Sequence, residues 1–279
     1  RVTTESNGVV NTEIENLLYP SEEKTARSVL LEGNLIAEMG FAALEVEREA
    51  SFFTTGGLAA VHSNSRSRDD IWDAFQRRET YGTTGDRILL WFDLLANNAT
   101  LPMGGEITTK ENPTFRVKAV GAFKQKPGCP DYSSTKIKQE DIERICKNEC
   151  YNPSDERKII TKIEVIKVVP QIYKNESVDP LIMDAWKTFE CKADQNGCEV
   201  TFSDPNFSVD GRDAAYYVRA IQEPSQVINA KNLRCEYDSE GNCIKVNQCH
   251  ATYKTDPDDD CLSMSDERAW SSPIFVDYL

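Results

Sequence analysis

Histidine is nearly absent from this sequence: 279 residues carry two, His62 and His250. A hydrolytic metal centre needs clustered imidazoles and carboxylates about 2 Å from each ion, so a multi-histidine site built from this chain alone is excluded. Cysteine is missing before Cys129. Where it does occur there is no Cys-x-x-Cys knuckle, which argues against zinc and for disulfides. Apolar runs such as Ile88–Phe92 have strand length and fall far short of the ~18 residues a membrane-spanning helix needs. No apolar segment of signal-peptide type lies near Arg1 and no initiator Met opens the chain. That pattern reads as a mature or trimmed chain with a cleaved N-terminus. Positive charge is in deficit, with 32 Lys and Arg against 46 Asp and Glu, a net charge of −14. Phosphate neutralisation demands the opposite sign, so nucleic acid and anionic membranes are disfavoured partners. GxSxG, P-loop, Rossmann and HExxH motifs do not occur.

What is present divides into three textures. Residues 1–20 are polar and read as an extended arm. From Ser21, an N-cap followed by Glu22 and Glu23, Ala26, Val29, Leu30, Ile36 and Met39 recur at helical spacing, and Gly40 is placed to end that helix. Leu44–Ala50 reads as a short second helix. Gly56 and Gly57 then feed a buried strand ending at His62, and Ser67-Arg68-Asp69-Asp70 is a capping-box pattern. The helix after it should run to about Arg78 with Ile71, Trp72, Ala74 and Phe75 inward, followed by a near-continuous apolar strand over Arg87–Leu95. Strand, helix, buried strand is a βαβ pattern, so residues 21–105 are assigned to an α/β layer or barrel. Beyond residue 105, strand-like runs (Phe115–Phe123, Ile159–Val169, Ala215–Gln222, Ile274–Tyr278) alternate with turns and one short helix, Gln139–Lys147. Residues 106–279 are therefore predicted to be mostly β and disulfide-rich.

All nine cysteines lie in that last region. Sequence-local pairing suggests Cys191–Cys198, Cys235–Cys243 and Cys249–Cys261, and leaves one of Cys129, Cys146 and Cys150 over, free or joined to another chain. Disulfides imply an oxidising compartment, hence an exported protein: periplasmic, cell-surface or extracellular.

Candidates for a site are few. His62 ends a strand of the α/β-like layer, where ligand crevices lie, while His250 sits beside a cysteine and reads as structural. Asn64, Arg66 and Arg68 follow His62, with Arg77, Arg78 and Arg87 near in sequence. Arginines at a strand end and helix start suit a phosphate or sulfate, although surface ion pairs explain them as readily. Thr83 and Thr84 occupy a glycine-bounded turn that offers hydroxyls and free backbone N–H groups, which plain turn chemistry explains equally well. Asp238-Ser239-Glu240-Gly241-Asn242 places oxygens around a glycine in the manner of a calcium loop, but the distal Glu is absent and a hairpin turn accounts for the same residues. Asp256 and Asp258–Asp260 read as a solvated acidic turn.

Several segments together carry a resemblance. Gly56-Gly57-Leu58-Ala59-Ala60-Val61-His62 with Arg68–Gly85 is one block, Asp213–Gln222 a second and Glu267–Phe275 a third. In this order over residues 25–279 they resemble the C-terminal half of the bacterial "domain of unknown function 3604" family, which looks related to the PHP (polymerase and histidinol phosphatase) metallo-hydrolases. The resemblance implies part of a distorted PHP-like α/β barrel, an exported protein, divalent metal ions and phosphoesterase-type chemistry. It also implies two ligand segments that this chain lacks: a His-x-His before Arg1, and a Gly-Ser-x-Asp-x-His where Phe41-Ala42-Ala43-Leu44-Glu45 stands. The expected function is thus the C-terminal part of an exported metal-dependent hydrolase. A missing N-terminal part or another chain would complete it, and His62, Asn64, Arg68 and Thr84 would line the pocket. The alternative is a non-catalytic assembly subunit of an extracellular complex, with homo-oligomerisation as one form of it.

Overall fold

A computed structural model describes residues 5–6, 9–10, 56–96, 99–146, 150–228, 235–246, 259 and 261–279. The chain divides into two compact units: Arg1–Thr54 with Cys249–Asp260, and Thr55–Gln248 with Cys261–Leu279. In the first, β1 (Glu5–Ser6) pairs antiparallel with β2 (Val9–Val10). Most of the predicted arm, the helices before residue 51, His250, and most of the acidic turn around Asp256 lie outside the described residues.

The second unit begins with β3 (Leu58–Val61), α1 (Arg68–Gln76) and β4 (Thr80–Thr83). It continues through β5 (Leu89–Ala96), β6 (Ala99–Pro102), β7 (Glu106–Thr109), β8 (Thr114–Val120) and β9 (Phe123–Pro127). Two short helices, α2 (Asp131–Lys136) and α3 (Gln139–Cys146), precede β10 (Tyr151–Arg157) and β11 (Ile160–Val168). Then follow β12 (Ile182–Glu190), β13 (Cys198–Ser203), the single-turn α4 (Phe207–Asp210) and the long β14 (Ala214–Ile228). Strands β15 (Cys235–Tyr237), β16 (Cys243–Val246), β17 (Leu262–Ser271) and β18 (Ile274–Tyr278) close the chain.

These strands build two main sheets. One has the order β12-β11-β14-β17-β4-β3, with β18 against β14 and β7; the other runs β13-β8-β5-β6. They face each other across one apolar core. Leu90, Phe92 and Leu94 of β5 and Phe115, Val117 and Ala119 of β8 come from the small sheet. Ile163 and Val165 of β11 with Tyr216, Val218 and Ala220 of β14 come from the large one. Alternation with period two carries this arrangement, since successive strand side chains point to opposite faces. Phe115 is the hub, stacked on Phe92 at 5.4 Å and on Phe202 at 5.3 Å, and tilted against Tyr216 at 4.7 Å.

The architecture corrects the expectation of an α/β barrel. The unit is mostly β, its main sheets are antiparallel, and neither closes into a barrel. β3 and β4, the arms of the supposed βαβ unit, pair antiparallel, with Leu58 opposite Thr83 and Val61 opposite Thr80, and β3 is exposed at Leu58 and Ala59 where a buried strand was expected. The apolar strand expected beside them, β5, belongs to the other sheet. Its run looked buried on both faces because Leu89 and Trp91 alternate with Leu90 and Phe92, yet only the latter pair is fully buried. Among the described residues, parallel pairing is confined to β18 with β7. Both sheets combine strands from before and after residue 105.

Helix α1 starts as its sequence dictates: Ser67 caps it, accepting from the Asp70 N–H at 3.1 Å, with Asp69 and Asp70 in the first turn. Its inward face is narrower than expected. Ala74 is buried, whereas Trp72 and Phe75 are exposed. After the helix, Gly104 (φ 87°) packs where a Cβ would collide with the Arg78 carbonyl, so only glycine fits that crossing.

Disulfides join Cys129 to Cys150, Cys191 to Cys198 and Cys235 to Cys243. Cys261 is also disulfide-bonded. The Cys249 and Cys146 side chains lie outside the described residues. The Cys191–Cys198 bridge ties the end of β12 to the start of β13, one strand from each sheet. No helix among the described residues is long and apolar enough to cross a membrane.

Candidate functional site

The residues singled out from sequence do not form one pocket. The His62 ring is half-buried beside Tyr81 and Trp91, with centroids at 5.4 and 5.8 Å. Its Nε2 lies 2.8 Å from the Leu90 carbonyl. A carbonyl can only accept, so Nε2 carries the proton and donates it. The imidazole thereby pins β3 to β5, one strand from each sheet. Thr84 lies at the other end of the β3–β4 pair, and the five residue steps from Glu79, opposite His62, to Thr84 separate the two by roughly 16 Å at ~3.3 Å per residue. Its hydroxyl donates to the buried Glu267 carboxylate and accepts the Arg268 backbone N–H at 3.0 Å. Asn64 and Arg66 lie between β3 and α1 and Arg68 opens α1; all three are exposed, and their side chains have no hydrogen-bond or ion-pair partner among the described residues. Arg77 is paired with Glu79 at 2.9 Å, and Arg78 donates to the Gly104 carbonyl at 2.9 Å with its guanidinium over the Phe275 ring.

The divalent ions implied by the resemblance find no fitting donor set here. Among the described residues no three His, Cys, Asp or Glu side chains converge on a point, and the Nε2 of His62 is already engaged. In the 238–242 turn, the Asp238 carboxylate accepts the N–H groups of Glu240 and Asn242, both at 2.9 Å, and the Asn242 side-chain amide at 3.1 Å. Those bonds hold its pKa below the usual aspartate value, the Asn242 backbone N–H foremost.

Two features that residue-by-residue reading missed stand out on opposite faces of the large sheet. On the core face, Lys167 of β11 is buried with its Nζ 2.6 Å from Asp204 and 3.5 Å from Asp210. Asp204 also accepts the Tyr216 hydroxyl at 2.6 Å and the Asn206 N–H at 3.1 Å. Burial raises the Asp204 pKa, but the bonds from Lys167, Tyr216 and Asn206 outweigh it and hold the carboxyl below its usual range. Burial, then the Asp204 bond, push the Tyr216 phenol far up. The pair is a latch between sheets, ionised and enclosed.

On the outer face, facing residues of five strands form a row: Glu164, Arg219, Trp270, Gly82 and Ala59. Beside it runs a second row, Lys162, Ile221 and Arg268, with the Arg268 backbone bonded to Thr84. Between them lies an open trough of about 380 Å³, lined by Thr161, Lys162, Glu164, Arg219, Asp266 and Arg268 around the side of Ile221. Arg219 grips Glu164 at 2.8 Å and reaches Asp184 at 3.3 Å, and Lys162 bonds Glu164 at 2.9 Å. Burial raises the Glu164 pKa, but Lys162 and Arg219 together outweigh that and keep the carboxyl below its usual value. The Arg268 guanidinium is exposed and makes no ion pair among the described residues. A signal for this site was present in the sequence. The three blocks quoted for the family resemblance are β3 with α1 and β4, then β14, then β17, and their strands lie side by side across this face.

Comparisons with known proteins reach part of the chain. Residues 20–127 match the model of a family described as "Protein of unknown function (DUF3604)". An uncharacterized protein of Chlamydia muridarum is 40% identical over 61 residues, which is 22% of this chain and 9% of that protein. An uncharacterized protein of Chlamydia trachomatis serovar D is 40% identical over 57 residues, 20% of this chain and 8% of that protein. The chain therefore spans under a tenth of the length of the curated relatives it matches. No solved structure matches it. Over residues 20–127, running from before β3 into β9, the match supports the DUF3604 family, whose function is unknown.

Proposed function

We propose that this chain is a non-catalytic binding part of a larger, exported, PHP-like metal-dependent hydrolase, and that its contribution is to hold substrate through the outer face of the large sheet. One observation carries the reading. The side chains with catalytic potential, His62 above all, are engaged in bonds that join strands, while the charged trough across β11, β14 and β17 is open. The metal ligands and the reacting groups would be supplied outside the described residues, by a further segment or another chain. Disulfide stapling supports an oxidising, exported setting.

The test compares the full gene-encoded protein with this chain, both with disulfides intact, for hydrolysis of phosphate monoesters in zinc or manganese. The longer protein should turn over and the chain alone should not. If neither does, the hydrolase reading falls. The second reading, an assembly subunit with no associated catalysis, would then account for the same structural bonds.

A further inference from the structure

We propose that the outer face of the large sheet binds an acidic oligosaccharide, its uronate carboxylate held by Arg268 in the trough and a sugar ring stacked on Trp270 beside the trough. This deepens the binding role proposed above and names what is bound.

Charge selects the first half of the proposal. The chain is strongly acidic overall, yet the trough presents Lys162, Arg219 and Arg268 against Glu164 and Asp266. Glu164 is already held by Lys162 and Arg219, at 2.9 and 2.8 Å. Arg268 is the guanidinium in the trough that makes no ion pair among the described residues, and its planar fork matches a carboxylate with two parallel N–H···O bonds. Long-range attraction of an anion to a protein of net charge −14 is absent, so recognition has to be local and directional.

The shape selects the second half. Trp270 is half-buried two residues along β17 from Arg268, on the same face. Across the neighbouring strands its row continues with Gly82 and Ala59, which have little or no side chain. An aromatic plate beside hydrogen-bond donors suits a pyranose, whose C–H faces are apolar and whose rim is hydroxyl. A peptide is the poorer occupant. Peptides that add to sheets pair with a free edge through main-chain bonds, whereas β11, β14 and β17 are each paired on both sides. Only side chains are offered to the ligand, and they are mainly donors suited to hydroxyl and carboxylate oxygens.

Isothermal titration of the disulfide-intact chain with trigalacturonate tests this, with maltotriose and a hexaglutamate peptide as comparisons. Wild type should bind trigalacturonate, and bind maltotriose and hexaglutamate at least about tenfold more weakly. Arg268→Ala should weaken trigalacturonate by about tenfold or more, Arg268→Lys by less, and Trp270→Ala should weaken both sugars. Arg116→Ala, on the small sheet, should change nothing. Circular dichroism on each variant separates lost binding from lost fold. Absence of trigalacturonate binding by wild type, equal binding by a folded Arg268→Ala, or tighter binding of hexaglutamate overturns the proposal. Trigalacturonate binding by a protein whose full-length form hydrolyses nothing would overturn the hydrolase reading and leave this one standing.

Discussion

The same three strands, β11, β14 and β17, show one face to the core and the other to solvent, and they use charge in opposite ways on the two. Inward, Lys167 is enclosed with Asp204 and Tyr216, every partner within bonding distance. Outward, Arg219 and Lys162 share Glu164, while Arg268 ends a row with no ion pair among the described residues. Removing one partner from a buried pair leaves a charge with neither water nor counter-ion, which is costly; losing an exposed charge costs little. The inward charges are thus structural, and the outward ones are available for recognition.

Substitutions should separate the faces by size of effect. Lys167→Met strands the buried Asp204 and should destabilise the fold by about 3–5 kcal/mol in urea unfolding. Replacing Lys167 and Asp204 together with apolar residues should recover most of that loss. If the single variant costs under 1 kcal/mol, the latch is not ionised. Cys191→Ser with Cys198→Ser should cost about 2–3 kcal/mol, because the bridge closes a short loop between the two sheets.

Acid should act through the same latch. The Asp204 pKa in the fold lies below the ordinary aspartate value of 3.8. Its stabilisation is therefore fully present above that value and is lost as pH falls through the lower native pKa. Urea midpoints compared at pH 6 and pH 3 should drop in wild type and drop less in the apolar double variant. Equal drops would detach acid sensitivity from this pair. Next in size, His62→Ala should cost about 1 kcal/mol by removing the bond to the Leu90 carbonyl, with added loss of packing against Tyr81 and Trp91. Smallest of all, Arg268→Ala should alter stability by no more than about 0.5 kcal/mol. A larger loss there would place that arginine with the structural set.

Local features of this fold could be read from sequence, and pairing could not. The Ser67 cap, the helix over Gln139–Cys146 and the strand Ile274–Tyr278 follow from capping, periodicity and turn chemistry within a few residues. Two disulfides, Cys191–Cys198 and Cys235–Cys243, follow from short spacing; spacing alone does not choose Cys129–Cys150 among Cys129, Cys146 and Cys150. Strand direction is not encoded in such patterns. The segment between Val61 and Thr80 is long enough for a parallel crossover, yet β4 returns antiparallel because its other edge pairs with β17. Contacts such as Thr84 to Glu267 and Lys167 to Asp204 depend on that distant pairing, so neither residue type nor spacing revealed them. Trp72 and Phe75 show the converse error, since apolar character alone placed them inward and the structure exposes both.

One experiment meets the proposal that this chain binds and does not react. The disulfide-intact chain is incubated with zinc and with manganese, weighed by native mass spectrometry, and assayed on p-nitrophenyl phosphate. Fewer than one tightly held ion per chain and no turnover are expected. Two or more retained ions together with metal-dependent hydrolysis would contradict it.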